Sequence, residues 1–228
     1  MNIYPLNLLN IDIHPIFDDI KGLPLYIPLT KNNSFIKETN DKNEQFTQEQ
    51  LNDYIQGQLK KYNRQWAISN YLENRTEMLS ISRPDMVFEN RVYNIGVNIT
   101  APLGSVLHSP LDAEVVQSYY EVGEGNYGGL VVLKHNINNC IFYSLYGHLN
   151  KSHLPKTGIT LKQGEVFEEV GNFDDNGHWF LNVHLQILTE EAYNSGWVSK
   201  GYCKPENLPN INSYCPNPLF LLRIQSLE

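Results

Sequence analysis

The chain has 228 residues, 25 Asp and Glu against 17 Lys and Arg, and a formal net charge of −8 at pH 7. This length predicts one medium-sized domain, or a domain with an extension, that can bury a core without disulfides. The acidic balance argues against a nucleic-acid-binding surface, because phosphate contacts need clustered Lys and Arg. No stretch approaches the roughly 18–20 apolar residues of a membrane span, and residues 1–10 lack the basic start of a secretory signal. We therefore expect a cytoplasmic protein without nucleic-acid or membrane partners.

Residues 1–46 are predicted to form an irregular strap that lies on a core. Apolar residues there alternate with four prolines that exclude a long helix: Pro5, Pro15, Pro24 and Pro28. The polar stretch 31–43 predicts an exposed loop. With the helix that follows, residues 1–65 would be an N-terminal extension, and residues 66–228 the main domain.

A helix is predicted from about residue 48 to residue 62. Thr47 and Gln50 have the spacing of a capping box. The apolar residues behind them recur at helical spacing: Leu51, Tyr54, Ile55, Leu59 and Tyr62. We interpret this apolar stripe as a docking face.

From Arg91 onward the pattern changes to short apolar runs separated by turn residues. The runs are 92–100, 105–109, 113–121, 129–135, 140–146, 165–171 and 183–189. Such spacing predicts an antiparallel β domain, and the pair Asn176-Gly177 is a strong turn signal. Three cysteines, Cys140, Cys203 and Cys215, fit a reducing compartment. We expect free thiols, although the sequence leaves the redox state of the last two open.

Two histidines on predicted strands are candidates for a site. His148 follows Tyr146-Gly147 at the end of one strand, and His184 lies inside another. Asn182 and His184 are two residues apart and would project from the same sheet face. Two such histidines on their own are more often structural than functional.

Six segments give these residues a context: 91–104, 109–113, 130–135, 143–149, 162–171 and 177–187. In that order they resemble the motifs of the lysostaphin-type (LytM-like) zinc metallopeptidases. Segments 70–75, 201–203 and 215–218 resemble a subgroup that lacks secretion signals and can be fused to an aminotransferase. The resemblance covers about residues 65–222. It implies a mostly β fold, a compact antiparallel core of the lysostaphin or duplicated-hybrid-motif type with a groove, which here carries an N-terminal strap and one helix.

The family's chemistry, as the resemblance implies it, uses a zinc ion held by His, Asp and a second His. The metal lowers the pKa of a bound water and polarises the scissile carbonyl. Two further histidines assist by proton transfer and oxyanion stabilisation. Family members cut cell-wall peptides.

This chain departs from that pattern at three of the five positions. The first two metal positions hold Asn94 and Asn98, and only the third, His184, matches. Of the assisting positions, His148 matches and the other is Asn182. A neutral amide is a poor zinc ligand, and Asn182 is neither an acid nor a base near neutral pH.

The sequence therefore predicts a pseudo-peptidase that needs no cofactor and whose groove binds a peptide or protein partner. The alternative is an active metal-dependent endopeptidase with an altered site. In that case zinc would be relocated onto His108, His148 and His184. A third possibility is a structural module that supports an active paralogue.

Overall fold

The protein is described here by a computed structural model, over residues 4–8 and 10–224. Parts of the predicted strap (1–3 and 9) and the last four residues of the predicted main domain lie outside these ranges. The α-helices are α1 Ser34–Asp41, α2 Gln48–Lys61, α3 Thr76–Ser82, α4 Pro84–Phe88, α5 Glu190–Asn194 and α6 Ile211–Tyr214. Short 3-10 helices lie at Leu6–Leu8, Trp197–Ser199, Pro205–Asn210 and Pro218–Phe220.

The architecture is mostly β, as predicted. The strands are β1 Leu25–Tyr26, β2 Ala67–Ile68, β3 Tyr93–Asn94, β4 Val97–Thr100, β5 Val106–His108, β6 Ala113–Glu121, β7 Gly128–Ile137, β8 Cys140–Leu149, β9 Thr160–Leu161, β10 Val166–Glu169, β11 Val183–Thr189 and β12 Tyr202–Cys203. Eight of them form one sheet in the order β1-β2-β4-β11-β8-β7-β6-β9. All neighbours in it are antiparallel except β1 and β2. Strands β5 and β10 form a second small sheet, and β3 and β12 a third.

The central strands are buried on both faces, which explains their nearly continuous apolar sequence. In β7, Val131 and Leu133 belong to one buried cluster, whereas Leu130 and Val132 belong to another. This alternation is the two-residue period of a strand. The sheet is therefore a middle layer, and the N- and C-terminal segments cover its two faces.

Helix α2 and the core-packed part of the strap agree with the sequence prediction, although β1 and α1 also lie within residues 1–46. Leu8, Ile16 and Phe17 are buried in the same cluster as Val131. Helix α2 begins after Thr47, whose side chain accepts a hydrogen bond from the Gln50 backbone and completes the capping box.

The exposed loop expected at 31–43 is wrong, because helix α1 lies there. Asn33 caps it by accepting hydrogen bonds from the Phe35 and Ile36 backbone amides. Ile36 and Thr39 are buried, and Ile36 joins Leu51 of α2 in one apolar cluster. The chain therefore has more helices than the one expected. Burial of Ile36 and Thr39 holds α1 against its neighbours.

The three cysteines are buried and free. Burial raises the pKa of the Cys203 thiol to about 11, and it also raises the pKa of Cys215. Thiols that stay protonated are poor nucleophiles, so these cysteines are unreactive. Among the residues described, no helix is both long and apolar enough to cross a membrane.

Glu168 on β10 is a buried carboxyl with an unusual environment. It is 3% exposed, and neither carboxylate oxygen has a hydrogen-bond partner among the described residues. Burial, and then the nearby charges of Glu169 and Asp175, raise its pKa to about 7. The folded protein therefore favours the neutral acid, and ionisation of Glu168 opposes folding.

We expect Glu168→Gln to stabilise the protein at pH 9 by about 1–3 kcal/mol and to change little at pH 4. The folded pKa lies above that of an unfolded glutamate, so stability is complete in acid and is lost as the pH rises through about 7. Urea denaturation at both pH values checks this. The exposed Glu165→Gln is the control, and equal effects of Glu168→Gln at pH 4 and pH 9 would contradict the interpretation.

Candidate functional site

Three adjacent strands bring the candidate residues together. Asn98 on β4 is directly opposite His184 on β11, and His184 is opposite Gly147 on β8, next to His148. Asn182 immediately precedes β11. These cross-strand positions place the side chains within reach of one another, and all five predicted residues are buried: Asn94, Asn98, His148, Asn182 and His184.

The three asparagines form a chain of amide hydrogen bonds. Asn94 Nδ2 donates to Asn98 Oδ1 over 3.2 Å, and Asn98 Nδ2 donates to Asn182 Oδ1 over 2.6 Å. Asn182 Nδ2 then donates to the Phe180 carbonyl over 2.6 Å. An amide both donates and accepts hydrogen bonds, so each asparagine side chain donates directly to the oxygen of the next one.

A charged residue that the sequence analysis did not single out completes this cluster. The Arg75 guanidinium donates from Nη1 to Asn98 Oδ1 over 2.7 Å. Arg75 is 1% exposed and forms an ion pair with Glu73 at 3.1 Å. Glu73 and Arg75 both lie in segment 70–75, and the resemblance of that segment to a subgroup of the family was the sequence signal, although it predicted no role for either residue.

His148 is held in a strained backbone conformation. Its φ is +67°, in the left-handed region that non-glycine residues seldom adopt. The ring Nδ1 lies 2.8 Å from the Asn176 carbonyl, and burial lowers the His148 pKa to about 4. The imidazole is therefore neutral at pH 7, and Nδ1 carries the proton because a carbonyl only accepts. Strain of this kind clusters at functional sites.

His184 is also neutral at pH 7. Burial, and after it the proximity of His148 and Arg75, lower its pKa to about 3, against a hydrogen bond to Gln186. His184 Nε2 lies 3.1 Å from Gln186 Oε1. The ring centroids of the two histidines are 6.3 Å apart. The Tyr127 ring lies against both, and its buried hydroxyl has no hydrogen-bond partner among the described residues.

A pocket of about 110 Å³ opens onto this cluster. Its inner wall includes Asn98, His148 and His184, and its mouth is lined by residues of α4, of the turn before β7 and of the 197–201 segment. Drug-sized ligands usually occupy roughly 300–1,000 Å³. The pocket is therefore suited to one side chain or a similarly small group.

The structure does not bring together His108, His148 and His184, the residues of the alternative, relocated zinc site. His108 lies on β5, where its Nδ1 is 2.9 Å from the Gly164 carbonyl and its ring packs against His14. It does not line the pocket. In the described part of the chain, no three His, Cys, Asp or Glu side chains are grouped so that they could hold a metal ion.

The side chains at the positions that the resemblance assigns to the metal do not fit a zinc ion. Asn98 Oδ1 already accepts hydrogen bonds from Arg75 and Asn94, and a guanidinium cation lies where a dication would need negative charge. Asn94 Oδ1, which is buried without a described partner, is a neutral oxygen. Zinc prefers imidazole, thiolate or carboxylate ligands.

Residues 92–195 match the model of Peptidase family M23. This match agrees with the family that the lysostaphin-type resemblance implied. A comparison with curated proteins found no match.

Among solved structures, the chain is similar to the catalytic domain of lysostaphin from Staphylococcus simulans, with 16% identity over 53% of this chain and 80% of that one (TM-score 0.38). It is also similar to a zinc-containing peptidase from Vibrio cholerae, with 23% identity over 43% of this chain (TM-score 0.36). A putative M23 peptidase from Pseudomonas aeruginosa is 16% identical over 57% of this chain and 43% of its own length (TM-score 0.37). The match spans only 28% of the Vibrio cholerae chain.

Proposed function

We propose that this protein is a catalytically inactive relative of the M23 peptidases whose groove binds a peptide or protein segment. The observation that carries the proposal is the chain of hydrogen bonds from Arg75 through Asn98 to Asn182. These neutral amides, with the ion pair of Arg75 and Glu73, take the place of charged metal ligands. Hydrolysis by a zinc-bound water would need a metal ion at the position of these side chains.

The retained parts of the groove favour binding. Two neutral histidines and the Tyr127 hydroxyl line the pocket and carry hydrogen-bonding groups. Two exposed apolar residues follow pocket-lining residues in the chain: Phe88, 93% exposed, is two residues after Met86, and Val122, 77% exposed, directly follows Glu121. Exposed apolar residues at the rim of a concave site are typical of interaction surfaces. One side chain of a partner would enter the pocket while its neighbours contact this rim.

If the protein is catalytically inactive as proposed, protein purified from zinc-supplied cells should contain less than about a tenth of a zinc ion per chain. Loss of a residue that only hydrogen-bonds to a metal ligand already weakens metal affinity about 10–100-fold, and here ligands themselves are replaced. Elemental analysis measures this, together with cleavage of cross-linked cell-wall peptides with and without a chelator. Chelator-sensitive cleavage would instead establish the alternative, an active endopeptidase with an altered site.

The second half is tested by filling the pocket. Ser199 is exposed and lines the mouth, and its side chain bonds only locally, to the Gly196 carbonyl. Peptides selected on the wild-type protein from a random displayed library should bind Ser199→Trp at least about tenfold more weakly, a loss of about 1.4 kcal/mol. The matched control is Ser195→Trp, at an exposed position outside the pocket. Equal binding to both variants would place the peptide site elsewhere.

A further inference from the structure

Arg75 precedes the segment that matches the M23 family, yet its guanidinium is embedded in that segment's site. Its N–H groups are all engaged by side chains of four residues: Glu73 from Nε and Nη2, Asn98 and Tyr202 from Nη1, and Ser69 from Nη2. These acceptors come from the loop after β2, from β4 and from β12. One cation therefore ties together the elements around the groove.

We propose that the Arg75 guanidinium is the protein's own substitute for the family's metal ion, and that it excludes metal from the site. A metal ion links its ligands through a central positive charge. Arg75 links Asn98 and its neighbours in the same way, with a rigid, weakly hydrated cation that suits a buried position. The inference rests on the assignment of the metal positions, and it holds whether or not the groove binds a partner.

Arg75 also lies close to the third metal position. Asn98 accepts the Arg75 hydrogen bond and is directly opposite His184 on the neighbouring strand. The fixed positive charge of the guanidinium therefore disfavours a second cation in this cluster, and missing ligands are only part of the reason why the site rejects metal.

The net charge of the buried site differs between variants with and without Arg75. With Asn94→His and Asn98→Asp, zinc would share the buried site with Arg75, Glu73 and the new aspartate, which leaves one uncompensated positive charge. Removal of Arg75 as well leaves zinc balanced by two carboxylates. Burial of unbalanced charge is costly. The restored ligands should therefore bind zinc only when Arg75 is gone.

The test compares the double variant Asn94→His/Asn98→Asp with the triple variant that also carries Arg75→Met. Zinc affinity is measured by competition with a chromophoric chelator, on protein shown to be folded by circular dichroism. We expect the triple variant to bind one zinc per chain at least 100-fold more tightly than the double variant. Affinities within threefold of each other, or a folded triple variant that binds no zinc, would overturn the proposal.

A second measurement decides the matter if the triple variant does not fold. Arg75→Ala leaves a guanidinium-sized space between Glu73 and Asn98. Methylguanidinium at about 10 mM, far below denaturing concentrations, should raise the Tm of Arg75→Ala. It should leave unchanged the Tm of the wild type and that of Arg64→Ala, a variant at an exposed arginine outside the pocket. The proposal would be overturned if Arg75→Ala had the same Tm as the wild type. It would also be overturned if methylguanidinium changed the Tm of all three proteins equally.

Discussion

Replacement of Arg75 by methionine is expected to lower the free energy of unfolding by about 3–5 kcal/mol, because removal of one partner leaves a buried charge uncompensated. Glu73, the residual charge, is 6% exposed. Asn98, Ser69 and Tyr202 would each lose a donor as well. Urea denaturation at pH 7 measures the loss.

The control for Arg75 is Arg83→Met, which breaks the more exposed ion pair with Asp85. Surface pairs contribute about 0–1 kcal/mol, so this variant should be close to the wild type. Glu73→Leu combined with Arg75→Met should recover part of the single variant's loss, because no charge is then left unpaired. A loss below about 1 kcal/mol for Arg75→Met would show that the ion pair does not stabilise the fold.

Gly96→Ala is expected to destabilise the protein by about 3 kcal/mol, at the upper end of what overpacking costs. Gly96 lies between Asn94 and Asn98. A Cβ there would come within 2.5 Å of the Leu185 carbonyl oxygen and 2.6 Å of His184 Nε2. Both atoms belong to β11, so this strand must move away from residue 96. Thermal unfolding, with the His184 ring signals followed by NMR, reports both effects.

Gly57→Ala is the matched control for this substitution. Gly57 is exposed within α2, and a Cβ there meets nothing within 4 Å. Alanine in a helix is favoured over glycine by about 1 kcal/mol, so this variant should be more stable than the wild type. If Gly96→Ala behaved like Gly57→Ala, β4 and β11 would not be packed as closely as the structure has them.

The sequence by itself determined the elements whose cause is local. Strands β6 and β11 have the bounds that their apolar runs predict, and α2 begins where Thr47 and Gln50 place it. Alternation of side chains along a strand also made Asn182 and His184 neighbours. In the structure both contact or oppose Asn98, so the grouping of the site followed from motif order and strand period.

Tertiary structure alone decided which residues complete the site. The contact between Arg75 and Asn98 spans 23 residues and depends on β2 pairing with β4. His108 was a plausible ligand by sequence, but β5 pairs with β10 in a separate sheet and carries it to His14. Helix α1 likewise depends on burial of Ile36 against α2. Local patterns fix periodicity and caps, whereas the position of a buried charge depends on which distant segments pack around it.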